Sequence, residues 1–306
     1  MPHKSPKFQI TLLHPKYLIT WLGLGLGWLA AKLPYALQLF IGRLIGKAIQ
    51  KLSSRRTHIA RTNLKLCFPE KSETEIENIL KLNFESTGIS VMETVMSWWA
   101  SENTLRKLVR IEGLENLEKA LAKGNGVILL SAHFTTLEIG GRLLSLFSPF
   151  HALYRQHKNP VFEYVMHKAR SNHLEQPIER GDMRGMLRSL KKGFAVWYAP
   201  DQNYGPEKSV FVTFFNVPAA TITATSRLAQ LNNSPVVPFF QQRLKENKGY
   251  VLRVYPALEN FPSDDIEQDS QRINHLIEDQ ILMMPEQYLW AHRRFKSRPD
   301  NQPSLY

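Results

Sequence analysis

Apolar residues along this chain fall into two alternating patterns. Short apolar runs, typical of buried strands, cover residues 126–132, 150–155, 194–201, 234–243 and 250–258. Amphipathic, helical spacing covers residues 136–147, 160–172, 182–193, 223–233 and about 265–284. Strands that alternate with helices predict an α/β fold, with helices on the faces of a sheet.

A long helix is predicted ahead of the first of these strands. Ser72 and Glu75 in KSETEIENIL form a capping-box pattern, and Ile76 and Leu80 continue it at helical spacing. We expect this helical region to extend through VMETVMSWW, residues 91–99.

The N-terminal part of the chain carries a different pattern. Residues 17–31 contain no charge, Lys16 and Lys32 flank them, and apolar residues continue to Gly42. Because a membrane-crossing helix needs about 20 apolar residues, residues 17–40 are expected to cross the bilayer or to lie re-entrant in one leaflet. A cleaved signal peptide and a buried helix hairpin are the alternatives, although WLAAKLP is a poor cleavage site.

Basic residues are distributed unevenly around this apolar segment. Lys4, Lys7 and Lys16 precede it, whereas Arg43, Lys47, Lys51, Arg55, Arg56, Arg61 and Lys65 follow it. The positive-inside rule therefore places most of the chain in the cytoplasm, and the same cluster favours contact with anionic lipid. A solvated basic helix face is the alternative for each of these residues.

Composition narrows the possible partners. The 306 residues are 43% hydrophobic, enough for a substantial core, and the net charge is +12. This balance favours nucleic acid, an anionic membrane surface, or an acidic protein or substrate. The single cysteine, Cys67, excludes a disulfide framework or a cysteine-based metal site within one chain.

Two titratable residues follow the strand at 126–132. If His133 lies at the strand-to-helix turn and Glu138 on the first helical turn, Glu138 can accept a hydrogen bond from one ring nitrogen. The other nitrogen is then a free base, and the nucleophile is a hydroxyl of the substrate. A hydrogen-bonded core histidine beside a surface glutamate is the alternative.

Further polar residues follow the predicted strands, namely Tyr154, Arg155, Asn159, Arg170, Ser171, Asn172, Arg180, Arg184, Asp201, Gln202 and Tyr204. Asp201 is the strongest of them, because it ends an apolar strand in front of a Pro/Gly-bounded loop. The arginines can clamp phosphate or carboxylate, or simply form surface ion pairs. A zinc site is not predicted, because no H-E-x-x-H motif occurs and the other histidines are scattered.

Four motifs in order resemble those of the late, secondary acyltransferases of lipid A biosynthesis, in the lysophospholipid-acyltransferase superfamily. They are SAHFTTLEIGGR, YRQHKNP, LKKGFAVWYAPDQNYGP and PEQYLWAHRRFKSRP. The resemblance covers nearly the whole chain and is greatest to the lauroyl-transferase branch. It implies a glycerolipid-acyltransferase-like mixed sheet flanked by helices, with an N-terminal membrane helix. Residues 1–50 would form the anchor and its basic flank, and residues 51–306 the acyltransferase domain.

The resemblance also implies the reaction. A lauroyl or myristoyl chain passes from acyl carrier protein to a hydroxyacyl chain of a Kdo-bearing tetra-acylated lipid A precursor, without a metal or other cofactor. The enzyme would lie at the bacterial inner membrane, anchored by a single-pass or monotopic segment, with its catalytic domain in the cytoplasm. His133 would be the base and Glu138 its partner. The substrate-binding candidates are Arg155, Asn159, Arg170, Asp201 and Tyr204. Asn203 stands where relatives often carry aspartate, which weakens a role for that position.

Three other functions remain open on the sequence. One is a membrane acyltransferase acting on glycerophosphate or lysophospholipid, although such enzymes usually carry aspartate in place of Glu138. Another is a non-catalytic membrane protein that binds anionic lipid. The third is nucleic-acid binding, for which the charge is suitable but no helix-turn-helix, finger or RNP pattern is present.

Overall fold

The computed structural model describes residues 8–171, 176–179, 181–299 and 302–306. The α-helices of these residues are α1 Leu18–Ala30, α2 Tyr35–Leu52, α3 Ser54–Cys67, α4 Glu73–Trp99, α5 Glu102–Arg106, α6 Leu114–Leu121, α7 Leu137–Leu144, α8 Pro160–Ser171, α9 Met183–Lys191, α10 Ala224–Asn232 and α11 Ile266–Met283. The strands are β1 Val109–Glu112, β2 Val127–Leu130, β3 His151–Tyr154, β4 Gln176–Glu179, β5 Ala195–Tyr198, β6 Ser209–Phe214, β7 Val217–Ile222, β8 Val236–Arg243 and β9 Tyr250–Val254. Lys4, Lys7, Asn172, His173 and Arg180 lie outside the described residues.

A seven-stranded sheet carries the site. Its strand order is β1-β9-β8-β2-β5-β3-β4, and every neighbouring pair is parallel except β8 and β9. The predicted mixed sheet flanked by helices is therefore confirmed. Because β2 lies directly beside β5, the residues that follow these two strands meet at one edge of the sheet.

Helices cover both faces of the sheet. Ile128 and Leu130 of β2 face one hydrophobic core, built with residues of α3, α4, α10 and α11. Val127 and Leu129 point the other way, into a second core with residues of α6 and α7. This alternation follows from the period of two along a strand, and it explains why all four residues are apolar.

Helix α4 begins at the predicted capping box. The backbone N–H of Glu75 donates to the Ser72 hydroxyl oxygen over 3.3 Å, and the backbone N–H of Ser72 donates to the Glu75 carboxylate over 2.9 Å. Further along, Gly88 lies against Gly42 of α2: a Cβ added at Gly88 would be 2.1 Å from the Gly42 carbonyl oxygen. The two helix backbones are therefore in direct contact, which any side chain at Gly88 would prevent.

The prediction of one continuous membrane helix over residues 17–40 is wrong, because two separate helices cover this segment. Helix α1 ends at Ala30, and α2 begins at Tyr35 after Pro34. At 1.5 Å per residue, the 13 residues of α1 extend over only about 20 Å, whereas the hydrocarbon core of a bilayer is about 30 Å thick. Across the described residues, no helix combines the length and apolar character that a membrane crossing requires.

Several short elements lack a clear pattern in the sequence. Strands β1 and β4 have four residues each and lie at the two edges of the sheet. Strands β6 and β7 form a separate antiparallel hairpin beside α11. Strand β1 alternates between half-buried and exposed residues, and a short strand of this kind has weak hydrophobic periodicity, so the sequence pattern did not reveal it. The predicted domain boundary at residue 50 falls within α2.

Candidate active site

His133 and Asp201 form the most closely connected pair at the carboxyl edge of the sheet. His133 is three residues beyond β2, and Asp201 is three residues beyond β5. Nδ1 of His133 lies 2.6 Å from Oδ1 of Asp201, and the backbone N–H of His133 donates to Oδ2 over 2.9 Å. Both oxygens of the Asp201 carboxylate therefore contact His133, and these two contacts fix the orientation of the imidazole ring.

The expected contact between His133 and Glu138 is wrong. Glu138 lies on the first turn of α7, but its carboxylate binds Arg170 and Trp98 instead. The Asp201 carboxylate makes the contact with a ring nitrogen that the sequence assigned to Glu138, and that nitrogen is Nδ1. Asp201 is 68 residues from His133 in the sequence, and the neighbouring strands β2 and β5 bring the two side chains together. The spacing of residues near His133 therefore does not reveal this partner.

Asp201 is buried and ionised. Burial alone would raise the pKa of its carboxyl group, but His133 and the hydroxyl of Tyr288 outweigh this effect. Together the charge of His133 and the hydrogen bonds from both residues lower the pKa of Asp201 to about 2. An ionised carboxylate only accepts hydrogen bonds, so Nδ1 of His133 is the donor in this contact, and in the neutral imidazole the lone pair is then on Nε2.

Glu138 and Arg170 form a second charged pair beside the first. The Arg170 Nε and one terminal nitrogen donate to the two oxygens of Glu138 over 3.0 and 2.5 Å. Trp98 Nε1 also donates to this carboxylate over 3.0 Å. Burial alone would raise the pKa of Glu138, but Arg170 and Trp98 lower it below its usual value. The pair is therefore charged, and the guanidinium is fixed in a fork geometry.

An apolar cavity of about 280 Å³ opens beside both pairs. Of the catalytic and substrate-binding candidates, the structure brings five to its wall, namely His133, Glu138, Arg155, Arg170 and Tyr204. Tyr154 and Gln202, two further polar residues noted in the sequence, line it as well. The rest of the wall is mostly aromatic or aliphatic, from α4, α7, α8, β3 and β5. A concave, mainly apolar cavity with a few convergent polar groups is typical of a site for a small or chain-like ligand.

Asn159 lies away from this wall. Its side-chain oxygen accepts hydrogen bonds from the backbone N–H groups of Val161 and Phe162, as an N-cap residue of α8 does. Its amide nitrogen donates to the hydroxyl of Thr20 in α1 over 2.9 Å. In the structure, Asn159 therefore ties α8 to the N-terminal helix, and its substrate-binding role remains a prediction.

The C-terminal segment supports the site in a way the sequence did not indicate. The backbone N–H of Leu289 donates to the carbonyl of His133 over 3.0 Å, and Tyr288 hydrogen-bonds Asp201. Nearby, His292 Nε2 accepts from the backbone N–H of Asn203 over 3.0 Å. Tyr288 and Leu289 belong to the motif PEQYLWAHRRFKSRP, but only the tertiary structure places them against Asp201 and His133.

Comparison with known proteins adds independent information. A family model for bacterial lipid A biosynthesis acyltransferases matches residues 5–297. A lipid A biosynthesis lauroyltransferase of Escherichia coli (strain K12) is 41% identical over 302 residues, covering 98% of this chain and 99% of that protein. A palmitoleoyltransferase of the same strain is 42% identical over 301 residues, covering 98% of each chain. A myristoyltransferase is 29% identical over 307 residues, covering 98% of this chain and 94% of the other.

Proposed function

The chain belongs to the bacterial lipid A biosynthesis acyltransferases, and on that premise we propose that His133 and Asp201 carry out acyl transfer to a substrate hydroxyl. The observation that supports this most directly is the 2.6 Å contact between His133 Nδ1 and Asp201, which leaves Nε2 as the base. His133 also lines the apolar cavity, so a bound acyl chain places its carbonyl group near that nitrogen.

The proposed reaction conserves every atom of both substrates. The acceptor oxygen attacks the carbonyl carbon of a thioester, while Nε2 of His133 takes the hydroxyl proton. A carbon–oxygen bond forms, the carbon–sulfur bond breaks, and His133 returns the proton to the leaving thiolate. Asp201 stays ionised throughout and stabilises the imidazolium. No metal or other cofactor takes part in this sequence of steps.

We assign the oxyanion to Arg170. Its guanidinium has five N–H donors, and two of its nitrogens are engaged by Glu138. The remaining donors belong to a side chain that lines the same cavity as His133. Because the Glu138 fork fixes the guanidinium in advance, little reorganisation is needed when negative charge develops on the thioester oxygen.

The proposed donor is acyl carrier protein charged with a lauroyl or myristoyl chain, and the proposed acceptor is a hydroxyacyl chain of a Kdo-bearing tetra-acylated lipid A precursor. Acyl carrier protein is acidic, and the precursor carries phosphates and carboxylates. A protein with a net charge of +12 is complementary to both. Family membership supports the lipid A acceptor, and the apolar cavity supports an acyl donor.

A transfer assay tests this function directly. The purified full chain in detergent is expected to transfer acyl groups from acyl carrier protein to radiolabelled Kdo-bearing tetra-acylated precursor. Precursor whose hydroxyacyl hydroxyls are replaced by hydrogen should accept nothing, because the attacking oxygen is gone. Transfer to glycerol 3-phosphate or lysophosphatidate, and none to the precursor, would instead establish a glycerophospholipid acyltransferase.

We further propose that the N-terminal helices lie in the cytoplasmic leaflet of the inner membrane without crossing it. α1 exposes several large apolar side chains, among them Ile19 at 84% and Leu26 at 68%. Lys16 and Lys32, at the two ends of the helix, lie over the rings of Tyr17 and Trp28. Basic and aromatic residues that border an exposed apolar surface are typical of an interfacial helix.

Substituting two exposed leucines tests this attachment. We expect Leu22→Glu with Leu26→Glu to weaken binding to anionic vesicles by at least about tenfold, because burying one leucine contributes about 1.5 kcal/mol or more. The matched control is Leu231→Glu with Leu282→Glu, since these leucines on α10 and α11 are 67% and 59% exposed, against 68% for Leu26 and 59% for Leu22. Equal losses in a vesicle flotation assay for both pairs would refute the proposed membrane face.

A further inference from the structure

The cavity beside His133 has a direction that the strands define. His133 and Asp201 lie beyond the carboxyl ends of β2 and β5, and β3 runs parallel to β5. On the cavity wall, Arg155 follows β3 and therefore lies at the same edge of the sheet as His133. Phe150 precedes β3 and lies at the opposite end of that strand. At about 3.3 Å per residue, the four steps along the chain from Phe150 to Tyr154 give the cavity a depth of roughly 13 Å.

The rings of Trp197 and Phe150 and the backbone of α7 at Gly141 form the part of the cavity farthest from His133, which we call the deep end. Trp197 is paired with Ala152 in the middle of β3, and its ring meets Phe150 edge to face, with 5.7 Å between ring centroids. Gly141, one turn beyond Glu138 on α7, also lines the cavity. A Cβ added to Gly141 would lie 2.7 Å from Cζ3 of Trp197, so the indole ring rests directly against the helix backbone.

A charged residue follows Gly141 on the cavity wall. Arg142 lines the cavity, is 8% exposed, and donates to the Ser145 hydroxyl over 3.1 Å. A hydrocarbon chain that reached this guanidinium would displace its polar surroundings, which is energetically unfavourable.

We propose that Gly141, Trp197 and Phe150 determine the length of the acyl chain that this enzyme transfers. The inference rests on the proposed acyl transfer and goes beyond it, because relatives with 41% and 42% identity are named for lauroyl and palmitoleoyl transfer. Sequence identity to these relatives therefore does not assign an acyl chain length to this chain. The deep end of the cavity limits the length of the acyl chain that fits.

Two substitutions change this end in opposite directions. Gly141→Ala adds a methyl group where the indole ring lies, so the cavity becomes shorter and the preferred chain loses carbons. Phe150→Leu removes ring volume, so the cavity becomes longer and a chain with two more carbons fits. Since each buried methylene contributes about 0.8 kcal/mol, we expect the ratio of kcat/KM between chains two carbons apart to change about tenfold.

Matched controls separate cavity length from general disturbance of the fold. Gly140→Ala crowds the same helix, where the new Cβ meets Gln241 at 2.6 Å, but Gly140 does not line the cavity. Phe239→Leu removes a ring that meets Trp197 edge to face at 5.4 Å from outside the cavity wall. Both controls are expected to keep the wild-type order of preference among acyl carrier proteins charged with C10 to C16 chains.

The outcomes distinguish the inference from the function on which it rests. No transfer by the wild-type chain with any donor would refute the proposed function itself. Transfer with an unchanged length profile in Gly141→Ala and Phe150→Leu would overturn only the assignment of the deep end. A lauroyl donor with a terminal diazirine provides a test on the wild-type chain: we expect crosslinks at Trp197 or Phe150, and crosslinks confined to Arg155 and Tyr204 would contradict the proposal.

Discussion

His133→Ala is expected to lower kcat for acyl transfer by at least about a thousandfold while leaving KM for the acyl donor nearly unchanged. A positioned general base contributes about 10²–10⁴ to a rate, and in the proposed reaction His133 supplies the nitrogen that takes the acceptor proton. In the proposed complex the acyl chain binds mainly to apolar residues deeper in the cavity, so donor binding should survive. Steady-state kinetics with acyl carrier protein and labelled precursor measure both quantities.

Glu138→Gln provides the comparison for this variant. It removes the charge that holds Arg170 but leaves the His133–Asp201 contact intact, so we expect a smaller loss, on the order of a hundredfold. An equal or larger loss in Glu138→Gln than in His133→Ala would show that the base has been assigned to the wrong pair. The thermal midpoint of each variant, measured in the same detergent, excludes unfolding as the cause.

Asp201→Asn is expected to lower kcat by about a thousandfold or more, although it changes the side chain by a single group. The amide presents N–H donors beside Nδ1, which favours the tautomer with the proton on Nε2. The nitrogen that faces the acceptor then lacks a lone pair. Nitrogen-15 NMR of the labelled imidazole reports the tautomer directly, and a purely structural role for Asp201 would not move the proton from Nδ1 to Nε2.

The same variant has a pH-dependent effect on stability. Because the pKa of Asp201 is lowered in the folded state from 3.8 to about 2, its ionised form stabilises the fold above about pH 4. This contribution is lost as the pH falls from about 4 to about 2. We expect the difference in thermal midpoint between wild type and Asp201→Asn to be full at pH 6 and to shrink toward pH 2. A difference independent of pH would show that the charge of Asp201 is not the stabilising feature.

Local patterns determined much of the fold. The central strands β2 and β5, and the first five residues of β8, are continuous apolar runs because both of their faces are buried, and such runs are visible in any sequence. Helix α4 begins at Ser72 because the capping box is a contact over three residues. The candidate residue His133 was likewise visible, because a histidine directly after a buried strand lies at the edge where parallel sheets place their ligands.

Long-range contacts decided the rest. The partner of His133 is Asp201 because β2 lies beside β5, and strand order is not encoded in the periodicity of either strand. The partner of Glu138 is Arg170 because α7 and α8, which are separate in sequence, both contribute to the wall of one cavity. The sequence by itself determined which segments are buried and which residues have the right chemistry. Only the tertiary structure decided which of those residues meet, because side-chain pairing depends on how strands and helices are ordered in space.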